Sequence, residues 1–305
     1  MKKRISAVVL VLAMVVSCMT GCGKKDVLQA AVETAQSAKN MDATLKMDMS
    51  MKMSVAGQEQ TLDMNMDGDM TIFTDPLKYK MNMSMKMAGQ DTKMESYMAK
   101  EGENYMTYTN SGTTWSKVKV ASADEMDKVK AQSDAYNVAS FVKNKEDLKP
   151  GEDATENDKT YKTYTAVMTK EMMKEAMESS MGNSLDSLSS LTGGKLDKDK
   201  LDSILDSIKD VTYTIWVDEE EAVIYRVKYS MAEMMDSLMS QLFASMASGS
   251  DADGMTAEQK KVMKSLKIEI GKCDIDIVYK NYNEATDFEI PAEALAAKEA
   301  TSATE

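Results

Sequence analysis

Hydrophobic side chains recur with a period of two over the first third of the chain and with a helical period over much of the rest. From Leu45 to Val55 the odd positions are Leu45, Met47, Met49, Met51, Met53 and Val55, while Lys46, Asp48, Ser50, Lys52 and Ser54 between them are polar. Alternate residues of a strand point to opposite sides, so this spacing predicts one oily face and one wet face. Ala56-Gly57-Gln58 turns the chain into a second strand carrying Leu62, Met64, Met66, Met70 and Ile72. Asp75-Pro76 leads into a third, with Leu77, Tyr79, Met81, Met83, Met85 and Met87. Ala88-Gly89-Gln90 repeats the first turn, and a fourth strand runs to about Lys100. Two shorter strands with Tyr105, Tyr108, Trp115 and Val118 complete a six-strand antiparallel meander. The first strands reach roughly 40 Å at ~3.3 Å per residue, and their oily side must be covered.

Helices are the expected cover. Asp26 is placed to cap a helix within 24–40, with Val27, Leu28, Ala31, Val32 and Ala35 on one stripe. Helical spacing is also read over 123–143 and over Met173, Met177, Met181, Leu185 and Leu188, which stops at Thr192-Gly193-Gly194. Leu201, Ile204, Leu205 and Ile208 start another stripe. The oiliest helix, 231–247, holds Met231, Met234, Met235, Leu238, Leu242, Phe243 and Met246. A polar loop is expected from Lys145 to Asp158 and strands at 159–169, 211–217 and 223–229, the last two joined by an exposed acidic tip, Asp218 to Glu221. The final strand, 266–282, shifts phase near Gly271, which predicts a bulge. The fold class is therefore α+β: a long curved antiparallel sheet, a half-barrel, with helices on its concave face.

The amino terminus adds an address. Lys2, Lys3 and Arg4 precede an apolar run from Ile5 to Val16 and then small residues, the layout of an export signal. The run is too short for a span, which needs ~20 residues. Met19-Thr20-Gly21-Cys22 offers a lipoprotein cleavage site and Val15-Val16-Ser17-Cys18 a second; Gly23-Lys24-Lys25, a short polar tether, favours Cys22 as the lipidated residue, with Cys18 the alternative. The expected domains are a signal peptide at 1–21, a lipidated tether and helix at 22–40, a half-barrel at 41–296 and a disordered tail at 297–305. An acylated amino terminus holds the protein to a membrane, on its extracytoplasmic side.

Composition narrows the chemistry. The net charge is −13, and loss of the signal makes it more negative, which argues against nucleic acid as a partner. There is no histidine, so Ser-His and Cys-His pairs are impossible and metal sites lose their commonest ligand. No catalytic residue, cofactor or metal-ligand set is expected. Asp251-x-Asp253-Gly254 lacks the remaining ligands of a calcium loop. Cys273 reads as a small buried apolar residue, and Tyr105, Tyr108 and Trp115 as core or cross-strand aromatics. Thirty-one methionines are the unusual feature. They suit a core, and they also suit an adaptable wall around an apolar ligand. Cu(I) favours thioethers too, but same-face neighbours on one strand lie nearly 7 Å apart (~3.3 Å per residue), too far to share an ion unless partners on adjacent strands help.

The signal and cleavage site, short helix, long strands, covering helices and closing Phe288-Glu289-Ile290-Pro291 resemble the LolA/LppX-like lipoprotein superfold, and more narrowly uncharacterised Gram-positive lipoproteins of that type. The local match is Tyr97-x-x-Lys100-Glu101-Gly102-x-x-Tyr105-x-x-Tyr108, followed by Trp115-x-Lys117. The resemblance implies a half-barrel around an apolar cavity closed by helices, with acyl chains or glycolipids carried by some members and no catalytic residue to transfer. The expected function is binding or carriage of an acyl chain or lipid. Its expected wall is Met47, Met49, Met51, Met53, Met64, Met66, Met81, Met83 and Met85, with Met235, Leu238 and Leu242 as lid. The alternative is a structural lipoprotein with a solid core and a protein partner in the cell envelope.

Overall fold

The alternating segments pair in the register their spacing demands. The structure, a computed structural model, describes residues 26–55, 57–112, 114–122, 138–142, 145–173, 206, 208–248 and 266–299. Asp26 caps helix α1 (Val27–Ser37), accepting the backbone N–H of Gln29 at 3.4 Å; of the predicted stripe, Leu28, Ala31, Val32 and Ala35 are buried and Val27 is half-buried. Strands β1 (Asn40–Val55), β2 (Gln58–Thr74), β3 (Leu77–Met87), β4 (Gln90–Glu101), β5 (Asn104–Asn110) and β6 (Trp115–Ser122) form the antiparallel meander. Between β3 and β4, Ala88 and Gly89 take φ of 50° and 78°. Two positive φ values in a two-residue loop match the right-handed twist of the flanking strands, and glycine adopts that region without strain.

Short 3-10 turns at Val138–Val142 and Lys145–Asp147 lead to β7 (Lys149–Pro150), β8 (Ala154–Glu156) and β9 (Lys159–Met168). The segment expected as a polar loop thus contributes two small strands, both paired with β9. Strands β10 (Val211–Asp218) and β11 (Val223–Ser230) form the expected hairpin; helix α2 (Ala232–Ser248), β12 (Lys267–Lys280) and the single helical turn α3 (Ala292–Leu295) follow. The helices expected from Met173 to Ile208 and most of 123–143 lie largely outside the described residues, as does 1–25.

Strand order runs β6-β5-β4-β3-β2-β1-β12-β11-β10-β9-β7, with β8 beside β9. The sheet is open and antiparallel, covered by helices as expected rather than closed into a barrel. The last long strand returns to pair with the first, and the bulge expected near Gly271 lies there: Ser50 pairs with Lys272 and Met51 with Ile270. The extra residue keeps the apolar side chains on one face beyond the break.

Helix α1 defines the inner face. Beneath it a closed core joins Leu28, Ala31, Val32 and Ala35 to Met41, Ala43, Leu45, Met70, Ile72, Ile215, Val217, Ile224, Val227, Ile277 and Tyr279. Phe141 packs edge-on against Tyr213, whose hydroxyl donates to the Phe141 carbonyl at 2.7 Å. The outer face of the long strands is a polar ladder. Thr71 donates to Asp42, Asn65 to Asp48 and Ser50 to Asp63, each at 2.7 Å.

Two places depart from the expected wet outer face. Behind β4 to β6, the segment after β12 crosses the sheet, and Phe288 lies 5.8 Å from Tyr97 and 5.9 Å from Phe73. Tyr97, Met106, Tyr108 and Ala294 are buried there with Trp115 half-buried against them, and Tyr105 is buried in a separate cluster with Leu77, Met98 and Ala121, so the tyrosines of the quoted motif are core. At the β10–β11 hairpin, Asp218 is 4% exposed rather than solvated. Its carboxylate accepts the backbone N–H groups of Glu220 and Glu221 and pairs with Lys159 at 2.5 Å, which satisfies a charge the sequence placed in water.

Candidate functional site: the methionine face

Beyond the closed core, the inner face changes character along the same strands. β11 ends at Ser230, opposite Asp274, so the part of β12 from Cys273 to Lys267 has no strand on that side. Helix α2 takes over the edge. The Met231 N–H donates to the Cys273 carbonyl at 2.7 Å, and Asp236 accepts the Ile270 N–H at 2.9 Å. The distal sheet therefore narrows to β12, β1, β2, β3 and β4.

Register sets its side chains in rows. Leu45 stands opposite Gly68, Gly68 opposite Met83 and Met83 opposite Met94. The next row joins Ile275, Met47, Met66 and Met85, and the one beyond it Cys273, Met49, Met64 and Met87. Met51 lies between Ile270 and Leu62, and Met53 opposite Ile268 and Gln60. Gly68 is buried, and a Cβ there would meet Met83 Cγ at 3.2 Å, so the methionine lies over the space the missing side chain leaves.

Exposure separates the two ends. Met41, Ala43, Leu45 and Met70 are buried, whereas Met47, Met49, Met51, Met53, Met64, Met66, Met81, Met83 and Met85 are half-buried and Met87 is 37% exposed. All nine strand positions expected as a wall share this face. Met66 and Met81 also touch the closed core, so they sit at the boundary. Of the expected lid, Met235 and Leu238 pack against the cluster of Met173, Ile208, Val211 and Met234. The side chain of Leu242 lies outside the described residues.

Sequence reasoning put Met87 on the oily side of its strand but left it out of the wall, and it missed Ile268, Ile270, Cys273, Ile275 and Met94 as members of the face. Their alternation was visible, but that β12 neighbours β1 is a pairing across more than two hundred residues. On β1 and β2 the charges stand on the opposite side: Lys46, Asp48, Lys52, Asp63 and Asp67 all occupy outer positions. The Asp48 carboxyl is held below its ordinary range by the Asn65 hydrogen bond, against a smaller opposing effect of burial and with help from Lys272. The Cys273 thiol is 3% exposed and free, and burial pushes its pKa up, with Asp274 adding to the shift. Among the described residues, no three histidine, cysteine or carboxylate side chains cluster to hold a metal ion, and no helix is long and apolar enough to cross a membrane. A surface of this kind can hold an apolar molecule by burial, without directional bonds.

A family model described as "Family of unknown function (DUF6612)" matches residues 23–240. Among curated proteins nothing matches the chain. Solved structures similar in layout include the lipoprotein LppX of Mycobacterium tuberculosis, 9% identical, covering 86% of this chain and 96% of that one at a TM-score of 0.37. LprF from Mycobacterium bovis is 8% identical over 88% and 97% of the two chains, with a TM-score of 0.40. A LolA superfamily protein from Nitrosomonas europaea is 9% identical over 89% and 96%, at 0.19. These are the types of protein the sequence resembles, and at such TM-scores nothing about a ligand follows from them.

Proposed function

The chain belongs to the family DUF6612, and we propose that it is a non-catalytic extracytoplasmic lipoprotein, anchored through Cys22, that binds an acyl chain or similar apolar ligand on its methionine face. One observation carries this reading: the inner face is continuous from a sealed core to rows of half-buried thioethers at Met47, Met49, Met51, Met53, Met64, Met66, Met83 and Met85. An apolar face used only for folding ends where its cover ends. Among the described residues it extends about 20 Å past the cover of α1, at ~3.3 Å per residue, over four to five strands spaced ~4.8 Å apart, a patch of the size that marks ligand or partner sites. Methionine fits such a use because its unbranched side chain repacks around varied shapes.

The test is native mass spectrometry and lipid extraction on protein purified without detergent. Co-purifying acyl species, reduced when Met49 and Met64 are replaced by aspartate, support the reading. Protein that is consistently empty, and that takes up no fluorescent fatty acid, removes it. Anchoring is tested separately: Cys22→Ala abolishes metabolic labelling with palmitate and releases the protein from membranes, whereas labelling that survives Cys22→Ala and is lost with Cys18→Ala assigns the anchor to Cys18.

A further inference from the structure

On the sequence alone, thioethers two residues apart on one strand cannot share a Cu(I) ion without partners on adjacent strands, and histidine, the usual companion ligand, is absent. Strand register supplies those partners. Cys273 on β12 stands opposite Met49 on β1, Met49 opposite Met64 on β2, and Met64 opposite Met87 on β3. Sulfur side chains thus follow one another across four adjacent strands on one face. The neighbouring row repeats the arrangement with Met47, Met66 and Met85.

Directly opposed Cβ atoms are about 5 Å apart. Three flexible side-chain torsions let each methionine bring Sδ toward its neighbour, so adjacent sulfurs can close on one ion. Strand formation does not explain the choice of sulfur. The β-branched residues that pleated strands favour dominate the sealed end, as Ile72, Ile215, Ile224, Val227 and Ile277 beside Met41 and Met70, whereas on β1 to β3 the half-buried end is built mainly from methionine. No charged or imidazole side chain stands in either sulfur row, so the donor set is soft throughout and unsuited to calcium or magnesium.

We propose that neighbouring sulfurs of the row Cys273, Met49, Met64 and Met87 bind Cu(I), two or three to an ion because the whole row spans about 14 Å at ~4.8 Å per strand, with Met47, Met66 and Met85 forming a second, thioether-only site. Met87, 37% exposed, with half-buried Met64 and Met49, gives the ion its way in; Cys273, 3% exposed, closes the inner end. When the thiol joins the coordination shell its S–H bond is replaced by S–Cu, the proton leaves to solvent and the metal keeps its oxidation state. The site does not rest on the acyl-ligand reading: lipid extraction can fail while metal binding holds, and the reverse.

The test is anaerobic titration of the purified protein with Cu(I) in competition with bicinchoninate, followed by X-ray absorption. The wild type is expected to withdraw Cu(I) from the chelator and show a sulfur-only shell. The double variant Met49→Leu, Met64→Leu should bind at least tenfold more weakly, while Met172→Leu, which changes an exposed methionine outside the rows, should not differ from wild type. Should the double variant fail to fold, the wild type with Ag(I) answers instead: the ε-methyl resonances of Met49, Met64 and Met87 shift and that of Met172 does not. Chelator that keeps all its copper, nitrogen or oxygen ligands in the shell, equal binding by the double variant, or equal Ag(I) shifts at every methionine would each overturn the proposal.

Discussion

Arg226 shows how a single side chain can join distant segments. Its Nε and Nη2 donate to Asp276 on β12 at 2.6 and 2.8 Å, its Nη1 donates to Glu156 on β8 at 2.8 Å, and its guanidinium lies 4.9 Å from the Trp216 ring. Only a planar fork can serve two carboxylates and a ring at once, so lysine is no substitute. Burial opposes ionisation of Glu156, but hydrogen bonds from Arg226 and Tyr225 outweigh it and hold its pKa below the usual range. A carboxyl whose folded pKa is depressed contributes stability that is fully present above its unfolded pKa of ~4.3 and is lost as pH falls through the lower folded value. Thermal melts against pH should therefore show an acid loss below about pH 4.3 that is smaller in Arg226→Met. At neutral pH that variant should be about 1 to 3 kcal/mol less stable, since two partly buried carboxylates lose the guanidinium and are left with Tyr225 on Glu156 and Lys228 on Asp276. An unchanged acid limb would mean that the cluster does not couple to folding.

At the level of elements, the parts that hold the sheet's margins were the least legible. Alternation, turn residues and the phase shift at Gly271 were readable because each is a local pattern, and β1 to β6, β9 to β12, α1 and α2 follow from them. The segment 284–299 has no period long enough to read, and its role comes from where it lands. Phe288 sits against Tyr97 and Phe73, and Lys78 spans the Phe73 and Phe288 rings while pairing with Asp287. Truncating this half-buried ring in Phe288→Ala should cost about 1 to 3 kcal/mol, below the range for fully buried phenylalanine. With Trp216→Phe as background, Trp115 is the sole tryptophan, and its emission should shift to the red as the strap loosens. Helix α2 makes a second such margin. Asp236→Ala removes the acceptor of the Ile270 N–H and should speed hydrogen exchange at that amide while leaving Ile277, deep in the sheet, protected. Comparable exchange at both amides would mean that the helix does not guard the edge.

For the molecule as a whole, one inner face is sealed at one end and accessible at the other, and the sequence showed the face but not the boundary. Met41 and Met47 lie on the same strand, point the same way and are indistinguishable by pattern, yet one is buried and the other half-buried. The difference comes from α1 and from β11 ending at Ser230, neither of which alternation along β1 can report. Oxidation chemistry can map that boundary, because a peroxide must reach a thioether to pass it an oxygen atom, leaving sulfoxide and water. Limited hydrogen peroxide followed by site-resolved mass spectrometry should modify Met49, Met51, Met64, Met85 and Met87 well before Met41, Met70, Met98 and Met106, all of which are 5% exposed or less. A bound acyl ligand should slow the first group and leave the second unchanged. Equally slow oxidation of the two groups would mean that the face is sealed along its whole length, and with it would go the surface on which the binding reading depends.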